Sequence, residues 1–490
     1  MADKKYILSI DQSTQGTKML LFDQNGTAVT RVDRPHRQIV NELGWVSHDM
    51  EEVYDNIISG LKEILARTDI HSKEIAAVGI SNQRETTVAF GPSGKPFCPA
   101  IVWQCGRAAN IVKQMEAEAE TVRRITCLPL SPFFPAAKMR WLLENDCMDI
   151  DSKDLHIGTV DSYLVYRLTG GKVFATDASN ASRTQLMDLD TINWSQELCT
   201  LFRIPAKVLP EIMDSNGNFG ETDFEGVLDY KIPIRCVMGD SHGALYGQHC
   251  HESGMMKTTY GTGSSMMLNT GKRKIASRHG LASSLAWRID GVPSYVLEGN
   301  INYTGAVISW LKDDLGLLRS AKEVNELCLQ ANPEDSTIFV PAFTGLSAPY
   351  WNDSAKAAVL GMSRTTKKAE FAKAAVESIA QQVTDVFEAM VPDFGENIKI
   401  LRADGGPTGN PYLMQFQSNM AGCGILVPDA EELSAIGVAY LAGITAGIYD
   451  KAKVFQNISY REYRPDMPPS VREKKRNTWK EAIRTVIGRT

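Results

Sequence analysis

IRCVMGDSHGALYGQ, residues 234–248, joins an apolar run to a turn and then to a run of small residues. Ile234, Cys236, Val237 and Met238 read as a buried strand, Gly239-Asp240-Ser241 as a tight turn, and residues 243–247 as a helix packed close beneath it. Asp240 is thereby raised at the carboxyl end of a strand. There a carboxylate can take a proton from a hydroxyl while the helix start holds backbone donors nearby. Alone, the same pattern suits a plain helix N-cap, so its meaning rests on the rest of the chain.

The 490 residues are 43% hydrophobic and 22% charged, which suits two large globular domains. A net charge of −6 with no lysine and arginine stripe argues against a nucleic-acid partner. The most basic run, residues 472–476, reads as a solvated helix face. The amino terminus passes from charge straight into a strand pattern, without the apolar core of a signal peptide. The longest later apolar stretch, residues 436–449, is rich in Gly and Ala and short for a bilayer. A cytoplasmic protein without membrane contact is expected. Nine cysteines with no C-x-x-C pair suit reduced thiols. In His249-Cys250-His251 adjacent side chains face different ways, which disfavours a metal site.

In chain order, a strand over 6–10 leads through Asp11 into the hydroxyl-rich turn Ser13-Thr14-Gln15-Gly16-Thr17-Lys18 and a second strand over 19–22. Asn25-Gly26 signals a type I′ hairpin that returns through 27–31. Such a turn offers N–H groups and hydroxyls to phosphate oxygens, Lys18 adds charge, and Asp11 is placed to hold Mg2+ through water. An ordinary polar hairpin has the same composition. After an amphipathic helix over 50–66, a strand over 75–80 runs into Ser81-Asn82-Gln83-Arg84-Glu85-Thr86-Thr87, with Trp103 in a later apolar run. Arg84 and Glu85 beside an indole suit the hydroxyls and carbon face of a small polyol, or else form a surface ion pair beside a core tryptophan. Helices are expected over 136–145 and 157–168, and TDASNASR, residues 176–183, reads as a polar loop.

Residues 256–260, the turn Gly261-Thr262-Gly263-Ser264-Ser265 and residues 266–269 repeat the order of strand, hydroxyl-rich glycine turn, strand. The repeat predicts an internal duplication, two phosphate-binding turns facing each other across a cleft, and a domain boundary near residues 251–254. Thr304-Gly305-Ala306 opens a small-residue helix within 299–315. VPAFTGLSAPYW, residues 340–351, is a loop before a helix over 367–390. A strand over 398–401 then runs into residues 402–410, where Gly405-Gly406 lets backbone approach a ligand.

Together, DQSTQGTK (11–18), SNQRETT with AIVWQC, GTVDSYLVYRLT with TDASNASR, MGDSHGALYGQ, YGTGSSMMLNTG, VPAFTGLSAPYW and DGGPTGNPYLMQFQS span nearly the whole chain. They resemble the FGGY family of carbohydrate kinases, most closely its glycerol kinase branch. The resemblance implies an α/β protein of two actin/hexokinase-like (ribonuclease H-like) domains, 1–252 and 253–490, enclosing a cleft. It implies phosphorylation of a terminal hydroxyl of a small polyol or ketose with ATP and Mg2+, by a homodimer or homotetramer. Matched position by position, it makes Asp240 the catalytic base, Arg84 and Glu85 ligands of polyol hydroxyls, and Trp103 the aromatic wall. Asp11 becomes the Mg2+–water ligand, Thr14, Gln15 and Lys18 the first phosphate turn, and Thr262 and Gly263 the second. Gly305 lies near the nucleotide, and Gly406 and Asn410 match the adenosine end.

Departures from the family pattern bear on the substrate. Phe133 stands where glycerol kinases carry Tyr, Ser241 where Gln usually follows the base, Ser265 where Phe is usual, and Ser309 where Gln is frequent on the nucleotide side. Two serines in place of large side chains predict a pocket enlarged for a four- or five-carbon polyol or ketopentose, with glycerol as the alternative substrate. An ATPase of the actin-like class shares the frame without a polyol pocket, and Arg84, Glu85, Trp103 and Asp240 argue against it. A catalytically silent sugar sensor has none for Asp11 and Asp240.

Overall fold

Strand Tyr6–Gln12 is buried on both faces, with Leu8 and Ile10 toward one core and Ile7 toward another, so helices must cover both sides of its sheet. In the computed structural model, which describes residues 5–488, it lies within a six-stranded sheet. The strand order is Glu221–Thr222, Ile232–Gly239, Ile75–Asn82, Tyr6–Gln12, Gly16–Phe22 and Ala28–Pro35. Met1 to Lys4, the charged lead-in to the first strand, and Arg489 and Thr490 lie outside the described residues. The three amino-terminal strands form an antiparallel meander, to which Ile75–Asn82 and then Ile232–Gly239 add in parallel.

A seven-stranded sheet repeats this plan. Met256–Tyr260 pairs antiparallel with Ser264–Gly271, and that strand with Val292–Ile301, while Ile400–Asp404 and Gly424–Pro428 add in parallel. Ala282–Ile289 and Tyr460–Tyr463 form its edges. The predicted duplication is thus present in the pairing order of the strands.

Helices Met50–Arg67 and Val160–Leu168 bury Val53, Tyr54, Ile57, Tyr163 and Leu164 against one face of the first sheet. Lys368–Phe394 and Pro411–Ala421 cover one face of the second. Helices Asp240–Gly247 and Leu433–Thr445 share a core with Met238 of the first sheet and Met267 and Val296 of the second. Their backbones nearly touch: a Cβ on Gly437 would stand 1.9 Å from the carbonyl oxygen of Gly243, and one on Gly247 2.3 Å from that of Leu433. Close approach of this kind requires glycine. The expected boundary at 252/253 falls in the connection between the sheets, and helix Leu433–Thr445 crosses back over it to pack on the first sheet.

Several local expectations change. At Asn25-Gly26 only the glycine has positive φ, 81°, and Asp23 Oδ1 accepts from the N–H groups of Asn25 and Thr27, each at 2.9 Å. The aspartate side chain organises this loop, so it is not a type I′ turn. TDASNASR is buried rather than an exposed loop; it forms strand Ala175–Asp177 and a turn of helix, Ala178–Ala181. Its polar groups can be buried because they bond one another: Asp177 accepts from the N–H groups of Ser179 and Asn180, each at 2.9 Å. Arg476, expected on a solvated face, is buried and donates to Asp385 at 2.6 Å and Glu388 at 2.9 Å. The helix opened by Thr304 runs only over Gly305–Ser309 before a π turn, Trp310–Asp314, and Gly299 belongs to strand Val292–Ile301. Among the described residues no helix is long and apolar enough to cross a membrane.

Candidate active site

Three parallel strands of the first sheet end level, because Gln12, Asn82 and Gly239 are register partners. Ser13 and Thr14, Gln83 to Glu85, and Asp240 therefore emerge side by side at the carboxyl ends of the strands, where α/β sheets bind ligands. In the second sheet Thr259 is level with Asp404 and Ser265, so residues 261–263 and Gly405-Gly406 emerge together. Gly405, at φ 96°, could not be another residue, since a Cβ there would lie 2.0 Å from the carbonyl oxygen of Tyr260. The N–H groups of Thr304 and Gly305 bond the carbonyls of Thr262 and Gly261, each at 2.9 Å. Thr262, Gly263, Gly305 and Gly406 thus form one glycine-lined corner, and around Gly406 a Cβ would meet nothing within 4 Å. Asn410 borders it and caps helix Pro411–Ala421, accepting the Leu413 N–H at 3.2 Å. Ser309 is exposed at the end of its short helix.

Asp240 is the first residue of helix Asp240–Gly247, while Gly239 takes the cap position. The Ser241 N–H donates to Asp240 Oδ1 at 2.6 Å, and the Asp240 side chain is 34% exposed. Gly239 leaves room for Arg84, whose Cγ a Cβ would approach to 2.6 Å. Arg84 Nε lies 3.3 Å from Asp240 Oδ1, and its two terminal nitrogens donate to the two oxygens of Glu298, each at 2.9 Å. Glu85 has φ 60°, inside a tight turn closed by the Thr86 N–H on the Arg84 carbonyl at 2.7 Å. Strain of this kind costs roughly 1–3 kcal/mol and persists where the surroundings enforce it. Here Arg183 Nε holds the Glu85 carboxylate at 2.7 Å, and its Nη1 lies 2.8 Å from Glu298. Sequence reasoning passed over both Arg183, the last residue of TDASNASR, and Glu298. The available signal was the lone charge of Glu298 in the apolar strand VPSYVLEGNI, because an ionised side chain is buried only with partners.

Trp103 Nε1 donates to Thr14 Oγ1 at 3.0 Å, tying the indole to the first turn, and Phe133 meets the indole edge-on with centroids 5.5 Å apart. Lys138 is buried beneath them and donates to the Phe133 carbonyl; burial pushes its amine down to about 7. Ser265 is level with Asn300 and faces the same side of the sheet as Glu298. Its Oγ is buried without a hydrogen-bond partner, and Ser241 is half-buried beside Asp240. Lys18 is not a free cation at the first turn: it pairs with Glu432, which also binds Arg31 at 2.9 Å. Gln15 is exposed at the tip of that turn.

Asp11 is level with Lys18 on one side and Ser81 on the other. Its Oδ1 is buried without a partner, and burial, opposed by Lys18, pushes the carboxyl up to about 7. A buried carboxyl short of positive charge fits a divalent cation or the waters around one.

Two sheets of one topology, each delivering a glycine turn, with a strand-end carboxylate among them, define the two-domain α/β sugar kinases. These are phosphotransferases with an alcohol group as acceptor. The N-terminal domain of the FGGY family of carbohydrate kinases matches residues 6–247 and its C-terminal domain residues 256–446, so the chain belongs to that family. Glycerol kinase 1 of Thermotoga maritima is 43% identical over 491 residues, covering 98% of this chain and 99% of that protein. The crystal structure of Plasmodium falciparum glycerol kinase with ADP matches at TM-score 0.92 and 33% identity, covering 99% of both chains. Ligand-bound xylulose kinase from Lactobacillus acidophilus matches at TM-score 0.88 and 23% identity over 99% of this chain and 98% of that one, a likeness of fold.

Proposed function

We propose that this carbohydrate kinase transfers the γ-phosphoryl group of ATP to a terminal hydroxyl of glycerol, with Asp240 as the base. The observation that carries the reading is the placement of Asp240, a partly exposed carboxylate at a helix start, with its guanidinium neighbour Arg84 locked by Glu298. The polyol hydroxyls would bond Arg84 and Glu85, with the carbon chain against Trp103 and Phe133. Asp240 orients the attacking hydroxyl and takes its proton, while the N–H groups of both glycine turns bind phosphate oxygens. Thr14, Gln15, Thr262, Gly263 and Gly305 would line the phosphates, and Ser309, Gly406 and Asn410 the nucleoside. Lys18 reaches a phosphate only by exchanging Glu432. Asp11 would hold Mg2+ through water, and the ion supplies neutralisation of charge on the transferred group. Glycerol is favoured because a 43% identical relative of full length bears the name glycerol kinase.

The unpartnered, buried Oγ of Ser265 favours a second reading, a four- or five-carbon polyol or ketopentose whose extra hydroxyl bonds Ser265 and Ser241. ADP release with ATP and Mg2+ across glycerol, tetritols, pentitols and ketopentoses separates them by kcat/KM. Glycerol as best substrate supports the first reading, a tenfold preference for a longer substrate establishes the second, and no polyol-dependent release overturns both. We further propose domains of 1–252 and 253–490, a cytoplasmic setting and a homodimer or homotetramer, the last tested by light scattering.

A further inference from the structure

Strand Val292–Ile301 alternates. Val296 lies in the core shared with helices Asp240–Gly247 and Leu433–Thr445, whereas Leu297 and Ile301 lie in the core of helix Lys368–Phe394. Glu298 follows Val296 on the first of these faces, so the second sheet delivers a carboxylate to two guanidiniums, that of Arg84 beyond strand Ile75–Asn82 of the first sheet and that of Arg183 beyond the short helix Ala178–Ala181. Arg84 takes both its oxygens at 2.9 Å, and Arg183 approaches one at 2.8 Å. The three side chains are 0%, 7% and 1% exposed, for Glu298, Arg84 and Arg183 in turn. Burial raises the Glu298 carboxyl, but Arg183 and Arg84 overcome it and hold it well below the usual carboxylate range. Neighbouring His242 is fully buried, and burial keeps its ring neutral. The two arginines are also the partners of Asp240 and Glu85, the acidic residues assigned to the polyol.

We propose that Glu298 is a positioning residue of the polyol site, fixing Arg84 against Asp240 and Arg183 against the strained Glu85 from across the two sheets. The inference rests on the polyol-kinase reading above. A guanidinium is a planar fork, and a bidentate carboxylate sets its plane as well as its place. Without Glu298, the nearest anion to Arg84 is Asp240, so the freed nitrogens would close on the base. Arg183 would likewise lose the contact that steadies it, and the positive φ at Glu85 would relax. The glycine corner that takes the nucleotide has no hydrogen bond to Glu298, so the damage is confined to the polyol side.

The test is Glu298→Gln and Glu298→Asp in the full chain, with kcat, KM for polyol, KM for ATP and thermal stability measured on each. Glu298→Gln is expected to lower kcat/KM for polyol about 100-fold with KM for ATP changed less than about twofold, as for loss of one partner of a buried pair. Glu298→Asp keeps the charge but loses the bidentate reach, and is expected to lose about tenfold. If the glutamine variant does not fold, the aspartate variant, which preserves the buried charge balance, decides. Folded variants with unchanged polyol kinetics, or with equal losses toward polyol and ATP, overturn the proposal. A wild-type enzyme that releases no ADP with any polyol overturns the underlying reading as well, and that failure shows before any variant is made.

Discussion

Asp11 carries a charge deficit that its own environment does not meet. Its carboxyl is pushed from 3.8 to about 7, first by burial, with Lys18 opposing and Glu432 and Asp240 adding to the rise. A carboxyl whose folded pKa is raised contributes stability that is full below its unfolded pKa and is lost as pH rises through the folded one. Asp11→Asn should therefore stabilise the ligand-free protein, by a margin that grows between pH 4 and 7 and then levels at roughly 4 kcal/mol. Urea unfolding at pH 5 and pH 8 checks this; an equal margin at both would show that the carboxyl is not raised. The same variant should lose activity with Mg2+ and ATP. Asp240→Asn should act differently, lowering kcat by about 10²–10⁴ with little change in ATP affinity, as for loss of a base, and steady-state kinetics reads both quantities. Arg84, Glu85, Asp11 and Asp240 were legible in the sequence because each sits where an apolar run meets turn residues. Glu298 was not, because its meaning depends on an arginine 214 residues away.

At the scale of elements, helix Asp240–Gly247 is held by its crossing with helix Leu433–Thr445. A Cβ on Gly437 would meet the backbone of Gly243 at 1.9 Å and of Gly247 at 2.9 Å, and backbone cannot swing aside. Gly437→Ala must separate the helices, at about 3 kcal/mol or more, and should lower the melting temperature. Because Asp240 opens the displaced helix, kcat should fall too. Gly406→Ala is the contrast: its Cβ meets no protein atom, so stability should stay within about 0.5 kcal/mol while KM for ATP rises several-fold. Calorimetry with ATP titration distinguishes the two, and a destabilised Gly406→Ala with normal KM would remove the glycine corner from the nucleotide site. The strand–turn–helix order of these elements could be read from apolar runs broken by glycine. Residues 176–183 misled because small polar residues have loop composition, and only their mutual bonds, such as Asp177 with Ser179 and Asn180, let them be buried.

At the scale of the molecule, the duplicated halves are separate in sequence and joined in their core. Ile7, Leu20, Phe22, Cys236 and Met238 of the first sheet pack in one cluster with Ile436, Val438, Ala439 and Leu441, whose helix lies in the chain between strands Gly424–Pro428 and Tyr460–Tyr463 of the second sheet. Across the same boundary run the pairs of Lys18 with Glu432 and of Arg84 with Glu298. A fragment of residues 1–252 lacks the helix that covers this face, and an uncovered apolar sheet face of that size is an association surface. The fragment alone should therefore aggregate or bind a hydrophobic dye, without a cooperative unfolding transition. Co-expression with residues 253–490 should restore both the transition and ADP release, because the second fragment brings helix Leu433–Thr445 with it. Were the first fragment to behave as a cooperative monomer by calorimetry and light scattering, the crossing helix would be a lid on a self-sufficient domain. In that case the glycine contacts at Gly243 and Gly247 would set the relative position of the halves without holding up the first sheet.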